Sequence, residues 1–206
     1  MKFSNYIFEL NKPKAVDKAR AELSGVKSVD TRNSSWMKSI TSIMADNGFK
    51  RVGSGKYASV FLHSKYPYAL KIFMKDSAYL RWIDFAKKNQ KNPFVPKIRG
   101  KVVKITPVIY AIRLEKLDRY SYGGGKKFMS EYARWAKDKN YKSSDPDIQA
   151  VLEEFAKNKS LLDLHGENMM MRGNQLVIID PYYNWFGRKE PGKYMIDPDD
   201  IPSHLF

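Results

Sequence analysis

The sequence predicts an α+β protein in which a strand-rich part precedes a mostly helical part. Residues 49–73 contain apolar and alternating stretches that are typical of antiparallel strands. After Asp145-Pro146, apolar residues recur at helical spacing, which predicts a helix that begins there. The run Gly123-Gly124-Gly125 indicates a break, and we place the boundary between the two parts near residues 117–125.

Composition restricts the class of protein. The 206 residues are 43% hydrophobic, which is enough for one large domain or two small lobes. The absence of cysteine excludes disulfides, thiolate zinc sites and cysteine nucleophiles, and suits a reducing cytoplasm. A net charge of +15 favours acidic partners such as nucleic acid, nucleotide phosphates or acidic proteins, although solubility explains it equally well. We expect a soluble, unprocessed protein, because no apolar run reaches the roughly 18 residues that cross a bilayer.

Periodicity along the chain predicts the individual elements. Residues 1–34 are polar and weakly periodic, so we expect one or two loosely attached helices there. Four helices are predicted further along the chain: one from Ser35 to Asn47-Gly48, one capped by Asp76 or Ser77, one over 126–139 and one from Asp145. Two further strands are predicted over 101–105 and 108–114. The domain prediction is an N-terminal extension over 1–34, a strand-rich lobe over 35–117 and a helical lobe over 118–206.

Two features of the first part suggest contact with phosphates. Gly53 and Gly55 precede a strand, where glycines allow the backbone to approach a phosphate closely, but a plain turn explains such a pair as well. Lys71 lies among apolar residues of the next strand, where burial of its charge is costly without an anion. The alternative for Lys71 is an edge strand from which the ammonium group points to water.

The second part contains a predicted hairpin with polar residues at its open end. Residues 169–172 and 175–179 are joined by Gly173-Asn174, a strong hairpin signal. Pairing across this turn sets Asn168 opposite Ile179, so that Asn168 and Asp180 lie at the same end, beside Asp163. Oxygen ligands of this kind suit Mg²⁺ bound together with substrate phosphates. A hairpin that merely has polar ends is the alternative.

Taken together, these segments resemble the protein-kinase superfamily. Residues 53–60 look like its glycine-rich loop, with Ala58 in place of the third glycine, and Tyr68-Ala69-Leu70-Lys71 looks like V-A-I-K. Residues 163–168 look like the catalytic loop D-L-x-x-x-N, and Asp180-Pro181-Tyr182 stands where D-F-G is expected. The resemblance implies a minimal bilobal protein-kinase-like fold, with an antiparallel β N-lobe and a reduced, mostly helical C-lobe.

Within that superfamily the sequence is most similar to the early serine/threonine kinase of T-seven-like bacteriophages. The similar stretches are residues 45–50, 165–170 and 179–181. This resemblance implies an enzyme that acts in the cytoplasm of the infected bacterium on host proteins such as the transcription and RNA-processing machinery. Nucleic acid is a further partner that the charge allows but that no motif supports. No membrane partner is expected, and the sequence does not define an oligomeric state.

The resemblance also implies a role for each site residue, with ATP and Mg²⁺ as cofactors. Asp163 would orient the acceptor hydroxyl, His165 replaces a lysine that touches the γ-phosphate, and Asn168 and Asp180 would hold Mg²⁺. Lys71 would neutralise the α- and β-phosphates. The nucleotide-binding residues would be Gly53, Ser54, Gly55, Lys56, Tyr57 and Ala58 over the phosphates, Val60 and Ala69 on the adenine faces, and Glu115 and Leu117 at the adenine edge.

Two further departures from the family pattern accompany the resemblance. The helix after Lys71 has no glutamate to pair with the lysine, and Asp84 is the nearest acidic candidate. Only 26 residues follow Asp180, without an A-P-E segment.

Two other readings stay open. A small-molecule phosphotransferase of the aminoglycoside type has a similar Asp and Asn pair, but the short C-terminal portion argues against it. A pseudokinase or nucleic-acid-binding module is supported mainly by the charge of +15.

Overall fold

The computed structural model describes residues 14–23, 35–55, 57–121, 123–158 and 161–183. Within these ranges the chain divides into two compact units. Residues 14–76 and 98–116 form the strand-rich unit, and residues 77–97 with 117–183 form the helix-rich unit. No helix in the described ranges is both long and apolar enough to cross a membrane.

The strand-rich unit is built on a five-stranded antiparallel sheet with the order β1-β2-β3-β5-β4. The strands are β1 (Lys50–Ser54), β2 (Ala58–Leu62), β3 (Tyr68–Met74), β4 (Val103–Lys104) and β5 (Ile109–Glu115). Strand β3 lies in the middle of the sheet, and all seven of its residues are buried. Since all residues of β3 except Lys71 are apolar or aromatic, its composition agrees with a strand covered on both faces.

Two helices, α1 (Lys14–Glu22) and α2 (Ser35–Asp46), contribute to the core of this unit. Their apolar residues join one buried cluster with Phe61, Leu70 and Ile72 of the sheet. The prediction of loosely attached helices is therefore wrong for α1, because its small stripe of Ala15, Val16 and Ala19 is almost completely buried. The short apolar stripe is hard to recognise among the charged residues of α1. The remainder of the 1–34 prediction lies outside the described residues.

The helix-rich unit contains α3 (Ser77–Lys88), α4 (Lys126–Lys137) and α5 (Pro146–Lys157). Its small strands are β6 (Asp118–Arg119), β7 (Leu161–Leu162), β8 (Met169–Arg172), β9 (Gln175–Ile178) and β10 (Tyr182–Tyr183). Strands β6, β8 and β9 form one sheet, and β7 pairs with β10. The expected fold class is thus confirmed, with an antiparallel strand-rich unit and a mostly helical one. Residues 184–206 of the predicted second lobe lie outside the described residues.

Helix α3 lies in the helix-rich unit, although the domain prediction of 35–117 assigned it to the first lobe. The ring of Trp82 lies 6.0 Å from that of Phe155 in α5, and its Nε1 donates to the carbonyl oxygen of Ile178 at 3.2 Å. The guanidinium of Arg172 donates to the carbonyl oxygens of Pro93 and Val95, both at 3.0 Å. These long-range contacts hold residues 77–97 on the second unit, and no local sequence pattern encodes them.

Candidate active site

The side chain of Asn168 closes the loop that begins at Asp163. Its Nδ2 donates to the backbone carbonyl oxygen of Asp163 at 2.7 Å and to the carboxylate Oδ2 of the same residue at 3.1 Å. The same Nδ2 also lies 3.1 Å from the Nε2 of His165, and its two hydrogens can serve two of these three neighbours at a time. The position of the Asp163 carboxylate is therefore fixed by a residue five positions further along the chain.

Backbone hydrogen bonds bring Asp180 to the same place. The carbonyl oxygen of Asn168 accepts from the N–H of Ile179 at 2.9 Å and from that of Asp180 at 3.4 Å. The N–H of Asp163 donates to the carbonyl oxygen of Pro181 at 2.8 Å. The predicted hairpin register is confirmed, since Met170 pairs with Val177 and Arg172 with Gln175. Asp163, Asn168 and Asp180 consequently lie together at the open end of the hairpin.

His165 lies beside Asp163, with its Nε2 3.4 Å from the carboxylate Oδ2. The Nδ1 atom accepts a hydrogen bond from the backbone N–H of Glu167 at 3.2 Å. The Nε2 atom also lies 3.1 Å from the Nδ2 of Asn168, and the tautomer decides whether Nε2 donates to Asp163 or accepts from Asn168. His165 thus lies next to both of these residues. Its predicted contact with a γ-phosphate stays a prediction.

The oxygen atoms at this end of the hairpin fit a magnesium ion. Because the Nδ2 of Asn168 is occupied by Asp163, Oδ1 is the side-chain atom of Asn168 that is left to bind a cation. Together with the carboxylate of Asp180, it gives the hard oxygen ligands that Mg²⁺ prefers. In the described ranges no three His, Cys, Asp or Glu side chains cluster closely enough to hold a metal ion. A magnesium ion here would therefore depend on phosphate oxygens of a nucleotide for the rest of its coordination.

Lys71 lies on the central strand of the other unit, and only 7% of its surface is exposed. The alternative of an edge-strand lysine is therefore wrong. The register sets Val60 of β2 and Ile112 of β5 opposite Lys71, and Leu62 opposite Ala69. Opposed residues and alternate residues along one strand point to the same face. Val60, Ala69 and Lys71 thus share one face, as contact with one nucleotide requires.

The predicted glycine-rich loop is the turn of the β1–β2 hairpin. Gly53 pairs with Val60 after a bulge in β1, and the N–H of Gly55 donates to the carbonyl oxygen of Ala58 at 2.9 Å. A Cβ at Gly53 would meet only ordinary contacts, and at Gly55 none within 4 Å. Neither glycine has a positive φ, so the described structure gives no steric reason for glycine at either position. Lys56 lies outside the described residues.

The remaining predicted nucleotide-binding residues lie at the end of β5. Glu115 is the last residue of that strand and pairs with Tyr68, whereas Leu117 is the first residue of the second unit after the strand. The structure holds no nucleotide to contact them, and their role stays a prediction. Asp84, the candidate partner of Lys71, forms an ion pair with Lys88 one helical turn later, with Nζ 2.7 Å from Oδ2.

A backbone partner of the site escaped the sequence reasoning, whereas the packing of Tyr182 agrees with it. The carbonyl oxygen of Pro181 anchors the N–H of Asp163, and a backbone acceptor leaves no trace in the sequence. Tyr182, whose side chain is only 4% exposed, packs edge-to-face on Trp82 and Phe155. Burial raises the pKa of Tyr182 far above its usual value, so its hydroxyl stays protonated at all ordinary pH values. Tyr182 thereby fixes the chain directly after Asp180 to the hydrophobic core.

Comparisons with known proteins were made for the whole chain. No protein-family model matches it. No curated protein matches its sequence either. A solved structure with a similar fold is that of the Cydia pomonella granulovirus kinase, with 13% sequence identity and a TM-score of 0.39. The match covers 70% of this chain and 57% of the viral kinase, so the chain spans little more than half of that protein. At this TM-score we draw no functional conclusion from the match.

Proposed function

We propose that this protein is an ATP-dependent phosphotransferase that phosphorylates serine and threonine hydroxyls of proteins. The observation that carries the proposal is the bond from Asn168 to both the carbonyl and the carboxylate of Asp163, at a hairpin end that also holds Asp180. A held carboxylate next to two oxygen ligands for Mg²⁺ is the arrangement that phosphoryl transfer to a hydroxyl needs.

Within the helix-rich unit, each side chain has a distinct task. Asp163 accepts a hydrogen bond from the acceptor hydroxyl and directs its oxygen toward the phosphorus. Asn168 keeps that carboxylate in position, and Asn168 and Asp180 bind Mg²⁺ together with the nucleotide. The metal ion, when bound, neutralises charge on the phosphate oxygens. His165, whose Nε2 lies 3.4 Å from the carboxylate of Asp163, would contact the γ-phosphate.

The strand-rich unit binds the nucleotide. The ammonium group of Lys71, which is only 7% exposed on the central strand, meets the α- and β-phosphates. The backbone of residues 53–58 covers the phosphates. The protein itself leaves room for a Cβ at Gly53 and at Gly55, so glycine at these positions is consistent with close approach of a ligand. Val60 and Ala69 contact the faces of the adenine ring, and Glu115 and Leu117 its edge.

The choice of protein substrates rests on the sequence resemblance. The early kinase of T-seven-like bacteriophages is similar at residues 45–50, 165–170 and 179–181. On that basis we propose that the substrates are proteins of an infected bacterium, including its transcription and RNA-processing machinery, and that the enzyme works in the bacterial cytoplasm.

The test is transfer of the γ-phosphate from labelled ATP in the presence of Mg²⁺, with bacterial proteins and, separately, aminoglycosides as acceptors. We expect label on serine and threonine residues, identified by mass spectrometry. Asp163→Ala should lower turnover by about 10²–10⁴ while nucleotide binding is retained, as is typical for loss of an acid–base group. Asp180→Ala should instead lose the Mg²⁺-dependent part of nucleotide binding. Glu167→Ala, an exposed acid in the same loop, is the matched control.

Two results would contradict the proposal. Label on aminoglycosides but not on proteins would identify a small-molecule phosphotransferase. Unchanged turnover in Asp163→Ala, with the fold intact, would remove Asp163 from the active site.

A further inference from the structure

The excess positive charge is distributed unevenly between the two units. The described residues of the strand-rich unit include 14 Lys and Arg against 5 Asp and Glu. Those of the helix-rich unit include 14 basic against 11 acidic residues. The first unit therefore has an excess of 9 positive charges and the second an excess of 3. A need for solubility alone gives no reason for this concentration in one unit.

Much of this charge lies along one edge of the sheet, which we name the β4 edge. The segment of residues 98–104 runs beside β5, because Ile98 bridges to Leu114 and Val103 pairs with Ala111. The β4 edge carries five cations, namely Arg20, Arg99, Lys101, Lys104 and Arg113. Lys101 and Lys104 are exposed. The guanidinium of Arg20 is fixed there by donating to the carbonyl oxygen of Lys104 at 3.0 and 2.9 Å, and Asp17 lies 3.7 Å from it.

Arg99 and Arg113 are held next to each other at a glycine. The N–H of Arg99 donates to the carbonyl oxygen of Arg113 at 2.9 Å. Gly100 between Arg99 and Lys101 has φ of +87°, and a Cβ there would lie 2.4 Å from the Nη2 of Arg113. Within the described chain, the buried Nε of Arg99 has no hydrogen-bond partner. Glycine thus lets the guanidinium of Arg113 lie over the backbone of Gly100, while its Cζ lies 5.6 Å from the centre of the Tyr68 ring.

We propose that the β4 edge binds the phosphate backbone of a nucleic acid. Residues 99–104 span at most about 17 Å, which is longer than a single phosphate group. A segment of this length can contact several phosphates of a duplex, because the charges of a duplex are about 1.7 Å apart along its axis. Two of the cations at Gly100 are arginines, and the planar guanidinium matches phosphate geometry better than an ammonium does. Binding is independent of base sequence, since the edge contributes cations and backbone rather than groups that read base edges. None of its five cations is among the residues proposed for phosphoryl transfer.

A simpler role for edge cations is to prevent another strand from pairing with the sheet. The protein contains a control for this explanation, since β1 is the opposite edge of the same sheet and carries the exposed cations Lys50 and Arg51. If the cations serve only to prevent strand pairing, substitutions at the two edges should affect nucleic-acid affinity equally. If the β4 edge binds nucleic acid, only substitutions at the β4 edge should weaken binding.

The experiment measures by fluorescence anisotropy the affinity of the full chain for labelled single-stranded RNA, single-stranded DNA and duplex DNA. The salt concentration is varied between about 50 and 200 mM, because phosphate contacts weaken markedly over this range. We expect the variant with Lys101→Gln and Lys104→Gln to raise Kd about tenfold and to lower the slope of log K against log salt by about 1.5–2, because two phosphate contacts are lost. Lys50→Gln with Arg51→Gln removes the same charge and should change Kd less than about twofold. Thermal unfolding of both double variants verifies that the fold is retained.

Three results would overturn the proposal. Equal weakening by the two double variants would assign binding to net charge rather than to the β4 edge. Absence of binding by the unmodified protein at 50 mM salt would exclude a nucleic-acid site. Poly-glutamate that competes with nucleic acid at equal charge concentration would show a general acceptor of acidic polymers. Arg99→Gln, combined with a thermal-unfolding measurement, adds a check on the guanidinium whose Nε is buried: it should weaken binding in a protein that remains folded.

Discussion

The amide nitrogen of Asn168 lies 2.7 Å from the backbone carbonyl oxygen of Asp163 and 3.1 Å from its carboxylate. One side chain thus fixes both the loop and the acid that the loop presents. The same amide is left with its oxygen for a cation, so that Asn168 links the position of the acid to the position of the metal ion.

Replacing Asn168 with alanine is expected to lower turnover about tenfold to hundredfold even at saturating Mg²⁺, because a hydrogen bond to a charged group contributes about 1.5–3 kcal/mol. Excess Mg²⁺ compensates for a weaker metal site but not for a carboxylate that has lost its donor. The measurement is kcat as a function of Mg²⁺ concentration. Asn174→Ala, at the exposed tip of the hairpin, is the control. Full recovery of kcat at high Mg²⁺ would mean that Asn168 acts through the metal alone.

Replacing Lys71 with methionine should weaken the use of ATP without unfolding the protein. Methionine keeps the aliphatic stem on the buried central strand but removes the charge that would meet the phosphates, so the fold should be retained. We expect a higher KM for ATP or a lower kcat from a protein that still unfolds cooperatively in a thermal scan. Lys75→Met, just beyond the same strand, is the control. Normal kinetics in Lys71→Met would leave its buried charge without a function.

The stability of helix α5 should depend on pH through Asp145. This residue is the N-cap and accepts from the N–H groups of Asp147 and Ile148. The hydrogen bond from Lys127, and then the two backbone bonds, lower the pKa of its carboxyl. A lowered pKa in the folded state means that the stabilisation is present above the ordinary pKa of about 3.9 and is lost as the pH falls through the lowered value.

At pH 7 we therefore expect Asp145→Ala to reduce the free energy of unfolding by about 0.5–2 kcal/mol, the usual contribution of an N-cap. The difference from the unmodified protein should shrink below about pH 4, where Asp145 of the unfolded chain becomes protonated, until the pH reaches the lowered pKa of the folded state. Asp145→Asn keeps a capping oxygen that does not titrate, and it should differ little from the unmodified protein at either pH. Chemical denaturation at a series of pH values measures the effect. A difference that does not change with pH would show that the charge of Asp145 is irrelevant.

Activity should not require activating phosphorylation. In many kinases an arginine before the catalytic aspartate binds a phosphate on the activation loop, and here that position is Leu162. Leu162 pairs with Tyr182, which is buried on Trp82 and Phe155. Packing therefore fixes the chain directly after Asp180, where many kinases use a phosphate. The sequence predicts the same packing for Tyr182, Tyr183 and Trp185, of which Trp185 lies outside the described residues.

The measurement is the initial rate of phosphatase-treated protein that mass spectrometry shows to be unphosphorylated. We expect full activity from the first time point. A lag that shortens with enzyme concentration would indicate activation by autophosphorylation in trans and contradict this prediction. Tyr182→Phe, which keeps the ring, should behave as the unmodified protein does.

Local patterns in the sequence were sufficient to predict the longer helices and strands. They also predicted the half of the site that contains Asn168 and Asp180. The Gly173-Asn174 turn sets the register of the hairpin, and the register in turn places Asn168 next to Asp180, because strand pairing is fixed by turn length. The helix start at Asp145 is likewise a local matter of capping.

Only the tertiary structure decided where these elements lie. The sequence alone allowed Lys71 to lie either on a buried strand or on an edge strand with its ammonium group in water. The strand order places β3 between β2 and β5, so Lys71 lies on a central strand. The sequence predicts a loosely attached α1, whereas its small residues lie in the core. Helix α3 belongs to the second unit because Trp82 contacts that unit. Hydrogen bonds from backbone carbonyls such as that of Pro181, and packing between residues that are distant in the chain, leave no periodic signal in the sequence. They exist only once the chain has folded, and for this reason the sequence determined the chemistry available to the protein and the fold determined its arrangement.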